Sequence, residues 1–170
     1  MVTAVLRDGS EVQLRTMQPA DADALVRFHR TLSDDTTLGR FFVVHRELTA
    51  QELHRFTNVD HRDREALVAV TGGDIIGVAR FDRLPDRTGA EVAFVVSDSW
   101  RGRGLGSSLF QRLAELARTL GIEHFRAEVL ATNARMLRLF SGTGLRQSVR
   151  RSGGVVHVDL TLRDVDPAAG

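Results

Sequence analysis

Three glycines in five residues, Gly102, Gly104 and Gly106, follow Arg101 in a turn between two periodic segments. A strand pattern over residues 90–96 precedes the turn, and a helix pattern begins directly behind it. Glycine leaves the backbone bare, so several N–H groups can converge on one ligand. The helix start adds unpaired N–H groups and the positive end of its dipole. Such a corner holds phosphate, and the expected ligand is a nucleotide-like or diphosphate-bearing cofactor.

Spacing decides among the common phosphate loops. A P-loop requires Gly-x-x-x-x-Gly-Lys-Ser/Thr, whose lysine reaches the outer phosphates. The chain has no lysine; all 23 of its basic residues are arginine. A dinucleotide fingerprint requires Gly-x-Gly-x-x-Gly. Counted from Gly102 its last glycine falls on Ser107, and counted from Gly104 it falls on Leu109. Neither motif fits.

Arg-x-x-Gly-x-Gly does fit, as Arg101, Gly104 and Gly106. The wider segment Val96-Ser-Asp-Ser-Trp-Arg-Gly-Arg-Gly-Leu-Gly106 resembles the strand-to-helix junction of the GNAT acetyltransferase superfamily. Ala131-Thr-Asn-Ala-Arg-Met-Leu-Arg-Leu-Phe-Ser-Gly-Thr-Gly-Leu145 resembles its second signature, an asparagine opening a short helix that closes at Gly-Leu. The resemblance implies an α/β GNAT (acyl-CoA N-acyltransferase) fold: a mixed, mostly antiparallel sheet with splayed central strands, flanked by helices. It implies acetyl-CoA as co-substrate and no metal. The diphosphate would rest on Arg101, Gly102, Arg103, Gly104, Leu105, Gly106 and Ser107. The backbones of Phe94 and Val96, with Val95 between them, would meet the pantetheine amides, and Asn133 would hold the same arm. A side chain at Gly104 or Gly106 would block the diphosphate and meet unfavourable backbone angles.

Glu91 is the candidate general base. On a strand it shares a face with Ala93 and Val95, and a charge among apolar neighbours must find a partner or solvent. Ala90-Glu-Val-Ala-Phe94 resembles the GNAT strand whose glutamate deprotonates the incoming ammonium, often through water. That chemistry needs a base, because a lysine amine of pKa about 10.4 is protonated near neutrality. The competing role for Glu91 is an ion pair with an arginine on a neighbouring strand. Asn133 fits an N-cap of its helix equally well. Phe140 departs from the family pattern, since many members hold a tyrosine there that protonates the departing thiolate. This chain contains no tyrosine. A thiol ionises near pH 8.5, roughly, so water can protonate the thiolate late. Ser141 is the neighbouring donor candidate, and Trp100 is read as packing behind the glycine loop.

These residues need a scaffold, and its elements follow from periodicity and turn chemistry. Residues 2–6 and 11–17 alternate about Asp8-Gly9, a hairpin signal. Residues 21–32 show helical spacing at Leu25, Val26 and Phe28 behind Pro19, and a short segment over 35–42 ends in Phe41-Phe42. Thr49-Ala-Gln-Glu52 is a capping box opening a helix to about residue 57. Strands over 66–70, 75–83 and 90–96 follow, joined at Gly72-Gly73-Asp74 and across 85–89. The loop helix covers 104–120 with Gly121 as its stop. A strand over 125–130, a helix over 133–142 and a hairpin of 145–151 with 155–162 complete the order. That order is β-α-α-β-β-β-α-β-α-β-β with one extra leading strand.

Composition bounds the partners. A chain of 170 residues that is 42% hydrophobic and 26% charged fits one soluble domain over 1–170, with a polar tail from about residue 164. A net charge of +1 without a compact basic run favours neither nucleic acid nor membrane. The absence of cysteine excludes thiol catalysis, disulfides and thiolate metal sites. His29, His45, His54, His61, His124 and His157 show no metal-ligand spacing, and His61-Arg-Asp-Arg-Glu65 reads as a solvated loop. No signal pattern or transmembrane run is present, so the cytoplasm is the expected location, as a monomer or homodimer.

The acceptor rests on resemblance alone. Phe41-Phe42, His45-Arg-Glu-Leu-Thr49, the segment from Glu52 to Asp60, and Arg64-Glu-Ala-Leu-Val-Ala69 resemble bacterial Pat-type protein lysine acetyltransferases. Some of those carry a cyclic-nucleotide or acyl-CoA-synthetase-like domain, for which this length leaves no room. The resemblance implies acetyl transfer from acetyl-CoA to a primary amine, with protein lysine preferred. Transfer would be direct, in a ternary complex, because no cysteine is available for an acyl-enzyme. A small-molecule amine acceptor and a non-catalytic acyl-CoA-binding regulatory domain are the alternatives.

Overall fold

The computed structural model of the protein describes residues 1–41 and 47–163, without the side chains of 38–41. Phe42, His45, Arg46 and the tail 164–170, all singled out from the sequence, lie outside the described residues, as does the Phe41 side chain.

Eight strands form one sheet in the order β1-β2-β3-β4-β5-β6-β8-β7. β1 (Val2–Val5) and β2 (Glu11–Thr16) make the leading hairpin, in which the Asp8 carboxylate accepts the Ser10 N–H at 3.0 Å. β3 (Arg64–Thr71), β4 (Asp74–Arg83) and β5 (Gly89–Val96) continue it antiparallel. β3 and β4 carry nearly unbroken apolar runs because both of their faces are covered. β6 (His124–Leu130) joins β5 in parallel, and β7 (Gln147–Ser152) and β8 (Val155–Thr161) close the far edge.

The parallel pairing is short. Gly89, Ala90 and Glu91 oppose His124, Phe125 and Arg126, and beyond Glu91 the two strands part. β5 continues on β4 as far as Val96, while β6 continues on β8 as far as Leu130. The expected splay is therefore present, and it opens immediately after Glu91. Gly89 permits the close start, since a Cβ there would collide with the His124 ring.

Two helical layers cover the sheet. On one face α1 (Ala22–Arg30) and α3 (Ala50–Thr57) pack Leu25, Phe28, Leu53 and Phe56 against Ala66, Val68 and Val78. On the other, α4 (Leu105–Thr119) buries Leu105, Leu109, Phe110 and Leu113, each worth about 1.5–3 kcal/mol. α5 (Ala134–Ser141) joins this second core through Phe140. Gly77 on β4 sets how closely α4 approaches, because a Cβ would stand 3.1 Å from Leu109 and 3.3 Å from Leu105.

Two readings of the sequence are corrected here. Of the segment over 35–42, residues 35–41 belong to a helix, α2 (Asp34–Phe41), so three α-helices stand between β2 and β3 among the described residues. Its composition is poor for a helix, yet the Ser33 hydroxyl accepts the Thr36 N–H at 3.3 Å and two aspartates favour the first turn. Residues 61–65 are not wholly a solvated loop either. Glu65 lies within β3 at 4% exposure, accepting the Ala66 N–H at 2.9 Å and standing 3.0 Å from His61 Nδ1.

A pH-sensitive clamp ties β2 to α1. The Asp21 carboxylate accepts Arg15 Nη1 at 2.8 Å, Arg15 Nη2 at 2.7 Å and the Gln18 N–H at 2.8 Å. The Arg15 hydrogen bonds hold the Asp21 carboxyl below its ordinary range in spite of burial. A depressed folded pKa gives stability that is full above the unfolded value, about 3.9, and is lost as pH falls through the folded one. Asp21→Asn is expected to cost about 1–3 kcal/mol at pH 7, with the gap to wild type closing under acid. Urea unfolding of both proteins from pH 7 to pH 3 checks this; a gap that is constant with pH would contradict it.

Candidate active site

The parted strands, the glycine turn and α5 enclose an open cleft of about 840 Å³. Phe94, Val95, Val96, Arg101, Gly102, Gly104, Leu105, Gly106, Ser107 and Asn133 all line it, so residues from three separate segments meet in one place. Arg103 and Glu91 do not line it.

The turn presents donors. Among the described residues, the backbone N–H groups of 102–107 find no acceptor. Gly102 and Gly104 take φ of +73° and +89°, which turns successive N–H groups toward one side and is strained for any other residue. Gly104 caps α4, so the first N–H groups of that helix add to the same cradle.

Gly106 behaves differently from expectation. It sits in the first turn of α4 without a positive φ, and a Cβ there would meet only Leu139 methyls at an ordinary 3.7 Å. The fold has room for alanine, and alanine would be the better helix former. Its bare backbone lines the cleft. Gly106→Ala is therefore expected to raise stability by about 0.5–1 kcal/mol while weakening acetyl-CoA binding. Denaturant titration and calorimetry on the same variant check the two opposed effects, and unchanged affinity would contradict the cradle.

Side chains beneath the turn hold it in place. Asp98 accepts the Thr36 hydroxyl at 2.6 Å and the Ser33 N–H at 3.0 Å, and pairs with Arg101 at 2.7 Å. Arg101 also donates to the Thr36 hydroxyl. Burial pushes the Asp98 carboxyl up, but these hydrogen bonds and the Arg101 charge leave it below its ordinary value. The start of α2 is thus fastened to the glycine turn. Arg103 donates to Asp8 at 3.1 Å and to the Ser99 carbonyl at 3.1 Å, with its guanidinium 4.5 Å over the Trp100 ring. Its side chain braces the turn and does not line the cleft. Trp100 lines the cleft as well as carrying Arg103.

Asn133 caps α5, its Oδ1 accepting the Met136 N–H at 3.2 Å, and it also lines the cleft. Phe140 points away from the cleft. It is 2% exposed and packs edge-on to Phe94 and Phe110 at centroid distances of 6.0 and 6.2 Å. The Ser141 hydroxyl donates to the Arg138 carbonyl at 3.2 Å.

Glu91 stands at the apex of the splay on the other face of β5, exposed to solvent. Arg126 lies opposite it but pairs with Asp159 at 3.1 Å, and Glu91 has no ion pair or hydrogen bond among the described residues. Ala93 and Val95, on the same face, line a small apolar pocket of about 40 Å³ with Met17, Leu25 and Phe28. Val95 lines both this pocket and the cleft. The sequence reading missed Arg7, Thr36, Arg135 and Arg138 on the cleft wall. For the last two a signal existed, since arginines three apart on a helix share a face.

A helix opened by bare glycines beside two parting strands, in a mixed sheet between helical layers, is the architecture of the N-acyltransferases. The acetyltransferase (GNAT) family model matches residues 26–144, and the chain belongs to that family of acetyltransferases, whose members use acetyl-CoA. It is 34% identical over 164 residues to the acetyltransferase Pat of Mycolicibacterium smegmatis, covering 95% of this chain and 49% of that protein. The chain thus spans about half the length of that relative. It is 26% identical to the acetyltransferase PA5475 of Pseudomonas aeruginosa over 143 residues, 82% of this chain and 77% of the other. The GNAT domain of S. lividans PAT superposes with a TM-score of 0.90 at 38% identity, over 94% of this chain and 96% of that one. YncA of Salmonella typhimurium, solved with acetyl-CoA, shares the fold at 20% identity, with a TM-score of 0.71 over 94% and 96% of the two chains. Among the described residues, no helix is long and apolar enough to cross a membrane, and no cluster of three or more metal-ligating side chains occurs.

Proposed function

We propose that the protein transfers the acetyl group of acetyl-CoA to the side-chain amine of a protein lysine, by direct attack in a ternary complex. The observation that carries this reading is the row of N–H groups at 102–107 that find no acceptor among the described residues, in the cleft beside the edge of β5 that β6 leaves free. Bound acetyl-CoA would supply a thioester carbonyl as electrophile and a thiolate as leaving group. The turn would hold the diphosphate, and the Phe94 and Val96 backbones would hold the pantetheine amides along the edge that β6 leaves free. Asn133 would steady the same arm. Glu91 would accept the ammonium proton of the acceptor, directly or through a water at the apex of the splay. Water would protonate the thiolate, because Phe140 lies in the core and the chain has no tyrosine.

A lysine acceptor is supported by the likeness of residues 41–69 to Pat-type enzymes and by the 38% identity to the PAT domain. The test is peptide mapping of a matched lysate incubated with the protein and labelled acetyl-CoA. Label on lysine side chains of one or a few proteins is expected. Label confined to small amines would favour the small-molecule reading, and no acceptor-dependent label at all would favour a binding domain. The chain's own internal peptides are expected to stay unmodified, since it contains no lysine. An internal N-acetylated peptide would contradict that expectation.

A further inference from the structure

The cleft gathers more positive charge than the glycine turn alone accounts for. Arg7, Arg101, Arg135 and Arg138 line it, against one acidic side chain, Asp35. Arg101 is matched by Asp98 at 2.7 Å. The other three guanidiniums make no hydrogen bond or ion pair among the described residues, although the chain has 22 acidic residues to offer. Arg7 belongs to the loop between β1 and β2, and its N–H donates to the Arg103 carbonyl at 3.0 Å. Its Cγ and Nε lie 3.3 and 3.4 Å from where a Cβ on Gly104 would be, so the arm lies alongside the turn. Arg135 and Arg138 stand one turn apart on α5, and Arg135 is near enough to Arg101 to disfavour its charge. Three exposed like charges thus line one cleft, where they favour an anion.

A diphosphate carries two charges, and the free N–H groups with the α4 dipole already answer them. The remaining guanidiniums call for a further phosphate. A phosphomonoester brings about −1.5 to −2 at pH 7, and guanidinium forks match its oxygens. Coenzyme A carries such a group on its ribose. We infer that Arg7, Arg135 and Arg138 form a second phosphate site that recognises the 3′-phosphate and makes the protein select the complete nucleotide over its 3′-dephospho form. The inference rests on the acetyl-CoA reading of the cleft.

Calorimetry with acetyl-CoA and acetyl-3′-dephospho-CoA tests it, on wild type and on the triple variant Arg7→Gln, Arg135→Gln, Arg138→Gln. Wild type is expected to prefer the 3′-phosphorylated ligand by at least about tenfold, and the variant to bind both within about threefold of each other. The variant should keep wild-type affinity for the dephospho form, which also reports that its cleft is folded. Wild-type affinities within threefold of each other would overturn the inference, as would a variant that keeps the tenfold preference. Equal loss of both ligands would also overturn it, by placing the arginines on the diphosphate. If wild type binds neither ligand, the acetyl-CoA reading falls first. Should the triple variant not fold, the single variants decide: each must lower the preference by at least about twofold, and unchanged ratios in all three overturn the site.

Discussion

Glu91→Gln is expected to slow acetyl transfer by about 10²–10⁴ while acetyl-CoA affinity stays nearly intact. The structure makes the substitution a clean one. Glu91 is exposed, has no ion pair or hydrogen bond among the described residues, and does not line the cleft. Glutamine keeps its size and hydrogen-bonding reach but cannot take a proton near neutrality. The loss should therefore fall on the chemical step, in kcat more than in KM. The wild-type rate should climb with pH as more of the acceptor amine is free. The variant should recover part of its deficit at alkaline pH, where the amine needs less help. Rates of both proteins from pH 6 to pH 10 with one acceptor check this. A variant within about threefold of wild type across that range would remove Glu91 from the mechanism.

Gly104→Val is expected to weaken acetyl-CoA binding by at least about tenfold, roughly 1.4 kcal/mol. Two costs combine at this position. Gly104 holds φ +89°, where a β-branched residue is strained. Its Cβ would also stand 3.3 Å from Arg7 Cγ, tight enough to push that arm aside. Relief requires the turn to rotate, and rotation would misdirect the N–H groups at 102–107 of the proposed cradle. Calorimetry on a folded variant is the check, and affinity equal to wild type would sink the phosphate-cradle assignment. Comparison with Gly106→Ala separates backbone strain from obstruction of the ligand, since position 106 has no positive φ.

The features read correctly from sequence are those set by local chemistry. Thr49 and Glu52 satisfy each other's N–H groups as a capping box, with contacts of 3.2 and 2.8 Å. Gly72, Gly73, Gly153 and Gly154 take positive φ in the two tight hairpins. Gly121 takes φ +76° just past α4. What escaped depends on contacts distant along the chain. α2 is made of weak helix formers and is secured by Asp98, more than sixty residues away, through Ser33 and Thr36. Arg7 reaches the glycine turn only because the leading hairpin folds back onto it, which no spacing rule reveals.

The candidate site divides in the same way. The glycine turn was legible because bare backbone, a preceding arginine and a helix start all lie in one short run. The splay was not, because it depends on where the register of β5 with β6 ends, and only the family resemblance implied it. The role of Phe140 also turned on packing. Its position in the signature marked a missing hydroxyl, but not that the ring is buried in the core against Phe94 and Phe110. Gly106 shows the limit of reading a glycine as a conformational demand. The helix tolerates it at a cost of about 1 kcal/mol relative to alanine, without the positive φ that would require it.

Direct transfer in a ternary complex makes one demand that binding alone does not. The most direct test is a single-turnover reaction of the protein, preloaded with acetyl-CoA, sampled with and without a lysine-bearing acceptor. Free coenzyme A, N-acetyl-lysine and the intact mass of the protein are followed together. Free coenzyme A is expected to appear one-for-one with N-acetyl-lysine, only when the acceptor is present, while the mass of the protein stays unchanged. Release of coenzyme A without acceptor together with an acetylated protein, or tight binding with no acceptor-dependent release, would contradict it.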